Sequence, residues 1–296
     1  MPESKPIWDQ EYRLSDEQLQ DFSRDGFLIF RDLFPEEAKR SIVDWSREVQ
    51  NWPNVAGKWM PYLELKSDGK MGLCRTEKFV DYHEGFKSLF RGTRLRGLLE
   101  VIQGEEMVLF KEKINYKEAN GGGGFDAHID APAYQHAGAL KHLTVNIAVD
   151  PANLENGCLE VVVSSHKMKV PIDDNNCIEK SWEESQTWTP VPLSSGDVLV
   201  FGSFLAHRSG PNRSDRPRAA IYATFNAFSD GGDRREAYYE KRRKEWPPTF
   251  ERVQGEDYSE GAKRYGFGSP MAGAEVHSRL QLSENPHVTG RTSTVV

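Results

Sequence analysis

Apolar positions change their period along the chain. In the first fifty residues they follow helical spacing. Ser15 precedes Asp16-Glu17-Gln18 in a capping-box order, and Leu19 and Phe22 then share one helical face. Asp25-Gly26 breaks that pattern, and Phe27-Leu28-Ile29-Phe30 predicts a short buried strand. Pro35-Glu36-Glu37 opens a second helix, with Ala38, Ile42, Val43 and Trp45 at helical intervals. Residues 51–82 are rich in aromatics and follow neither period, so no element is assigned there.

From about residue 105 the pattern becomes strand and turn. Met107-Val108-Leu109-Phe110 leads into a polar-alternating run to Lys117, and Gly121 to Gly124 read as a turn. Leu143, Val145, Ile147 and Val149 alternate onto one face. Asn156-Gly157 predicts a hairpin between that strand and Cys158 to Val163. Gly196 to Phe201 and Arg218 to Phe225 follow, with Arg218, Ala220, Tyr222 and Thr224 on a common face. Short strands punctuated this way predict a mostly β fold with surrounding helices, a double sheet or barrel. No repeat or linker divides the chain. The expectation is one domain over 1–275, helical at about 14–105, strand-rich at about 106–228 and helical again beyond, with a polar tail over 276–296.

Composition narrows the class. A net charge of −7 and the absence of a basic stripe argue against nucleic acid as a partner. No apolar run of the roughly 18 residues needed to span a bilayer occurs. The start, Met1-Pro2-Glu3-Ser4-Lys5, carries no secretory apolar region. Cys74, Cys158 and Cys177 form neither a disulfide framework nor a zinc knuckle, which fits a reducing compartment, and the expected location is the cytoplasm. The expected partner is a small-molecule substrate, and the oligomeric state is left open, a homodimer included.

The candidate chemistry sits in Gly124-Phe125-Asp126-Ala127-His128-Ile129-Asp130. On an extended chain, His128 and Asp130 project to one side and can grip one ion while Ile129 points away. A third ligand must come from elsewhere, and His207 lies just past the apolar strand ending at Phe201. Two histidines and a carboxylate on one face leave the other face of the ion open, the arrangement of non-haem iron(II) oxygenases. A four-coordinate structural zinc would leave no such room. Arg218, eleven residues after His207, opens a strand and is suited to bind a carboxylate in bidentate fashion.

Other motifs have plainer readings. The glycine run lacks the Lys-Ser/Thr of a phosphate loop. Lys241-Arg242-Arg243-Lys244, flanked by glutamates, reads as a solvated helix face. His83, His277 and His287 read as ordinary surface or helix residues and His166 as a turn cap, while His136 and His142 follow the motif closely enough to be candidates for touching substrate.

His128-Ile129-Asp130, His207 and Arg218, with Gly196-Asp197-Val198-Leu199-Val200-Phe201 before the distal histidine, resemble the phytanoyl-CoA dioxygenase family. Asn156-Gly157-Cys158-Leu159 and Ser164-Ser165-His166-Lys167 fit the same pattern, over roughly residues 14–275. The resemblance implies a jelly-roll (double-stranded β-helix) fold and dependence on Fe(II), 2-oxoglutarate and O2. It implies His128, Asp130 and His207 as iron ligands, Arg218 as the 2-oxoglutarate anchor, and Ser209 and Asn115 as further co-substrate contacts. The branch it suggests includes 2-aminoethylphosphonate dioxygenase and ectoine hydroxylase, with Lys111, Tyr134 and Arg75 as candidate substrate contacts. The expected reaction is oxidation of an unactivated C–H bond of a small polar molecule, an amino acid or aminoalkylphosphonate, by hydroxylation, desaturation or ring closure. Alternatives are a tailoring oxygenase of a larger apolar natural product or acyl-CoA, with the aromatic stretch 45–62 lining a wider pocket, a catalytically silent jelly-roll binding protein, and a zinc hydrolase.

Overall fold

The computed structural model describes residues 5–66, 69–134 and 141–271. The tail from 276, His136, His277 and His287 lie outside the described residues.

The first elements form where the capping signals put them. Ser15 Oγ accepts from the Gln18 amide at 3.2 Å, the Gln18 side chain accepts from the Ser15 amide at 3.0 Å, and α1 (Asp16–Asp25) follows. Gly26, at φ +88°, ends it in the left-handed region that favours glycine. β1 (Phe27–Phe30) and α2 (Glu36–Gln50) come next, α2 burying Ala38, Ile42, Ser46 and Val49. Residues 51–82, left unassigned from sequence, contain β2 (Met60–Leu65) and β3 (Met71–Glu77). Their alternation is hidden because Glu64, Arg75, Thr76 and Glu77 are buried polar residues and a bulge at Tyr62/Leu63 shifts the register.

After α3 (Glu84–Arg91) and α4 (Thr93–Gln103), the chain runs through β4 (Met107–Lys117), β5 (Phe125–His128), β6 (His142–Ala148) and β7 (Leu159–Val161). Then come α5 (Lys180–Ser185), β8 (Thr189–Val191), β9 (Val198–Gly202), β10 (His207–Ser209), β11 (Arg218–Ala227), α6 (Arg235–Glu245) and α7 (Ser259–Tyr265). A seven-stranded antiparallel sheet in the order β1-β9-β6-β11-β4-β3-β2 faces a four-stranded one, β5-β10-β7-β8. This is the double-stranded β-helix expected. Asn156-Gly157 departs from expectation: it joins β6 and β7, which lie in opposite sheets, so it is a crossover turn and not a hairpin.

Alternation along the large sheet gives it two different faces. Ile114, Val145, Ile147, Val198, Ile221 and Phe225 are fully buried on its outer side, in one core with Leu89, Phe90, Leu95, Leu98 and Leu99 of the helices. Each such side chain contributes roughly 1.5–3 kcal/mol by leaving water. Lys111, Lys113, Asn115, Thr144, Tyr222 and Thr224 occupy the opposite parity and line a cavity between the sheets. The tryptophans of 45–59 pack among themselves, His83 and Phe86, and line neither chamber of that cavity.

α6 corrects the reading of its basic run. Arg235, Tyr238, Tyr239 and Arg242 fall at helical spacing on one buried face, while Lys241 and Lys244 are exposed. Arg242 is 1% exposed and grips Glu77 through Nε (2.6 Å) and Nη2 (2.7 Å). Arg235 bonds Glu112 and, at 3.2 Å, Asp81. A guanidinium can be buried only with such partners, and the two pairs seat α6 against β3 and β4. No helix among the described residues is long and apolar enough to cross a membrane.

Replacing Glu77 by Ala strands Arg242 in the interior. Removal of one partner from a buried pair is expected to cost about 3–5 kcal/mol, read as a lowered urea midpoint with unchanged slope.

Candidate metal centre

The triad is assembled by strand pairing. β10 runs antiparallel to β5 with His207 opposite His128, so the two imidazoles stand side by side with ring centroids 4.2 Å apart. Asp130 lies just beyond β5, at the entry to a 3-10 turn over Ala131–Ala133 (φ −72°, ψ −22°), rather than within the strand as its spacing implied. The turn still directs its carboxylate back: Asp130 Oδ1 is 3.9 Å from His128 Nε2, and Oδ2 accepts from Thr144 Oγ1 at 3.2 Å. Ile129 points into a separate apolar cluster with Ala127, Val162 and Ile178. One ligand atom of each of His128, Asp130 and His207 lies within 4.8 Å of the others.

Backbone carbonyls fix the tautomers. His128 Nδ1 donates to Asp126 O at 2.7 Å and His207 Nδ1 to Leu205 O at 2.9 Å. A carbonyl only accepts, so each proton sits on Nδ1 and each Nε2 offers a lone pair. Burial, and then the charge of His207, lowers the pKa of His128, and burial lowers that of His207, so both rings are neutral near pH 7. Burial alone would raise Asp130, but attraction to His207 and His128, protonated only in the acid range where this carboxyl titrates, and then to Lys113 and Lys111, holds it below the ordinary value. Two neutral imidazoles and an ionised carboxylate, each with a fixed outer partner, fit a divalent iron.

The cavity beside the triad has two chambers, which share Lys111, Lys113, Phe125, His128 and Asp130. Ser209 and Asn115 line the first. Arg75 lines the second and donates through Nε to Asn115 Oδ1 at 2.9 Å, which turns the Asn115 amide donor away from Arg75. Tyr134 is buried beneath Lys111, whose Nζ stands 4.7 Å from the ring centroid. Arg218 is buried behind this wall and donates to Asn156 O (3.1 Å) and Gly157 O (2.7 Å). Lys117, which sequence reasoning did not single out, bonds Ser209 Oγ at 2.8 Å and Gly157 O at 3.2 Å. Gly157 permits this: its φ is +73°, and a Cβ there would meet Gly210 O at 2.1 Å. Lys113 and Lys117 were also findable, because they share the parity of Lys111 and Asn115 along β4.

His142 does not reach the cavity. It packs on Phe110 and Tyr134 with Nε2 3.6 Å from Asp230. His83 is buried, not on the surface, and caps α3 by accepting from the Phe86 amide at 3.2 Å. His166 sits in the short turn Ser165–Lys167 as expected.

Residues 22–220 match the family profile described as phytanoyl-CoA dioxygenase (PhyH), well over half the chain. The chain belongs to this family. It is 37% identical over 257 residues to the 2-aminoethylphosphonate dioxygenase of uncultured bacterium HF130_AEPn_1, covering 86% of this chain and 97% of that protein. It is 37% identical over 231 residues to the methylphosphonate hydroxylase of Gimesia maris, covering 78% and 87% respectively. Among solved structures, EctD from S. alaskensis with 2-oxoglutarate and 5-hydroxyectoine superposes with a TM-score of 0.65 over 76% of this chain and 82% of that one, at 19% identity, which shows the shared fold. As a family dioxygenase the chain is an enzyme using iron(II), 2-oxoglutarate and O2.

Thr144→Val removes the hydroxyl that steadies Asp130. Iron(II) affinity is expected to fall about 10–100-fold, the usual effect of losing an outer partner of a metal ligand, as read by anaerobic titration.

Proposed function

We propose that this dioxygenase oxidises an unactivated C–H bond of a small polar substrate, an aminoalkylphosphonate or amino acid, with His128, Asp130 and His207 holding the iron. The observation that carries the reading is the convergence of these three donors on the wall of a cavity whose other wall bears buried cationic side chains. Iron with 2-oxoglutarate and O2 supplies the oxidising power for C–H attack while the keto-acid becomes succinate and carbon dioxide. The protein's part is to bind, orient and exclude water.

Arg218 is the anchor for the far carboxylate of 2-oxoglutarate, with Ser209, whose hydroxyl accepts from Lys117, as the assisting hydroxyl. Burial opposes the charged form of Arg218 and no carboxylate pairs with it among the described residues, so an incoming anion would relieve a standing cost. Lys117 adds a second cation at the same carbonyl, and the amide donor of Asn115 faces the co-substrate. Lys111, Tyr134 and Arg75 are the substrate contacts. The small-polar reading is favoured over a large apolar substrate by the cationic side chains that line the second chamber. The complete triad argues against a silent binding protein.

The test is succinate formed per substrate consumed, with 2-aminoethylphosphonate, methylphosphonate and amino acids as candidates. His128→Ala is expected to abolish coupled succinate. Arg218→Ala should raise the KM for 2-oxoglutarate by about 30-fold or more, the loss of at least 2 kcal/mol from a charged pair. Wild-type levels of coupled succinate from His128→Ala would overturn the assignment.

A further inference from the structure

The chamber next to the triad carries more positive than negative groups. Arg75, Lys111, Lys113 and Arg242 face only Glu77 and Asp130. The guanidinium groups are spoken for: Arg242 chelates Glu77, and Arg75 bonds Glu77 at 3.3 Å and Asn115. The ammonium groups are not. Lys111 and Lys113 sit two residues apart on the inner face of β4, and neither has an ion-pair or hydrogen-bond partner among the described residues. Both stand over rings, Lys111 at 4.7 Å from Tyr134 and 5.9 Å from Tyr238, and Lys113 at 5.4 Å from Tyr222. Iron(II) is a dication and 2-oxoglutarate a dianion, so together they leave the surplus of two positive charges unchanged.

From this we infer that Lys111 and Lys113 form the seat for a dianionic head group of the substrate, a phosphonate, and that they select it over monoanionic sulfonates and carboxylates. The inference rests on the small-polar-substrate reading above and assigns the end of the molecule that these residues hold. Two like charges side by side, half removed from water and unpaired, are costly in the empty protein, and a dianion shared between them removes that cost. Ammonium groups suit the task because each is a compact point charge with three rotatable donors, adaptable to a tetrahedral set of oxygens. Burial pushes the Lys111 ammonium down to about 8 and Lys113 well below its ordinary value, the direction expected of cations awaiting a counter-charge.

Calorimetric titration under nitrogen of the protein holding iron(II) and 2-oxoglutarate compares three probes of like backbone: 2-aminoethylphosphonate, its sulfonate analogue taurine and its carboxylate analogue β-alanine. The phosphonate is expected to bind at least about tenfold tighter than either, the worth of one further charge-assisted contact. Lys111→Met and Lys113→Met should each erase that preference without lowering the melting temperature, since an unpaired ammonium has been removed. Lys111→Arg and Lys113→Arg, which keep the charge, should retain part of it. Equal binding of the three probes by wild type, or an undiminished preference in both Met variants, overturns the seat. Phosphonate preference without any succinate in air would leave the seat standing and sink the reaction assigned above. Coupled succinate from a carboxylate substrate with no phosphonate preference would do the reverse.

Discussion

The antiparallel register that sets His207 opposite His128 is the constraint on which the site depends. A slip of one residue between β5 and β10 would turn His207 to the other face and leave two of the three candidate donors. The neighbouring strand helps prevent it: β7 pairs with β10 through His207–Val161, Arg208–Glu160 and Ser209–Leu159, and Arg208 bonds Glu160 across that pair. The carbonyls of Asp126 and Leu205 then fix both rings in the tautomer that exposes Nε2. Ligand geometry is thus written largely in main-chain hydrogen bonds, with Thr144 completing it for Asp130.

The same architecture explains how so polar an interior is tolerated. The large sheet carries its hydrophobic burial on the helix-facing side, so its inner parity is free to hold Lys111, Lys113, Asn115 and Lys117 in one stripe. That stripe divides the work. Lys117 lies behind the wall with Arg218, bonded to Ser209 and sharing Gly157 O, while Lys111 and Lys113 line the chamber that Tyr238 and Arg242 of α6 also line. The Arg242–Glu77 and Arg235–Glu112 pairs hold α6 in place together with the buried rings of Tyr238 and Tyr239, so the helix that closes the cavity is fastened by charges as well as by apolar packing.

How much of this could be read from the sequence follows from the same physics. Elements with local signals, such as the Ser15 capping box and the alternating 143–149 strand, were legible, and so was the meeting of His128, Asp130 and His207, because metal-ligand chemistry restricts residue type. Asp130 was expected beside His128 by strand alternation, but it reaches that place from a turn past the strand end. β2 and β3 were hidden because several of their buried positions, Glu64, Arg75 and Glu77, are charged and a bulge at Tyr62/Leu63 shifts the register. Arg242 was taken for a solvated residue for the same cause: its partner Glu77 lies 165 positions away, and no periodicity announces a long-range ion pair. The Asn156-Gly157 turn was seen, but which sheet each flanking strand joins is a tertiary decision.

The central claim is that three side chains from two distant stretches enclose one ferrous ion. Anomalous scattering at the iron edge from crystals grown anaerobically with iron(II) tests it directly. A single peak bonded by His128 Nε2, His207 Nε2 and an Asp130 oxygen is the result this account predicts. A peak elsewhere in the molecule, or one at which any of the three is replaced by another protein ligand, would contradict it.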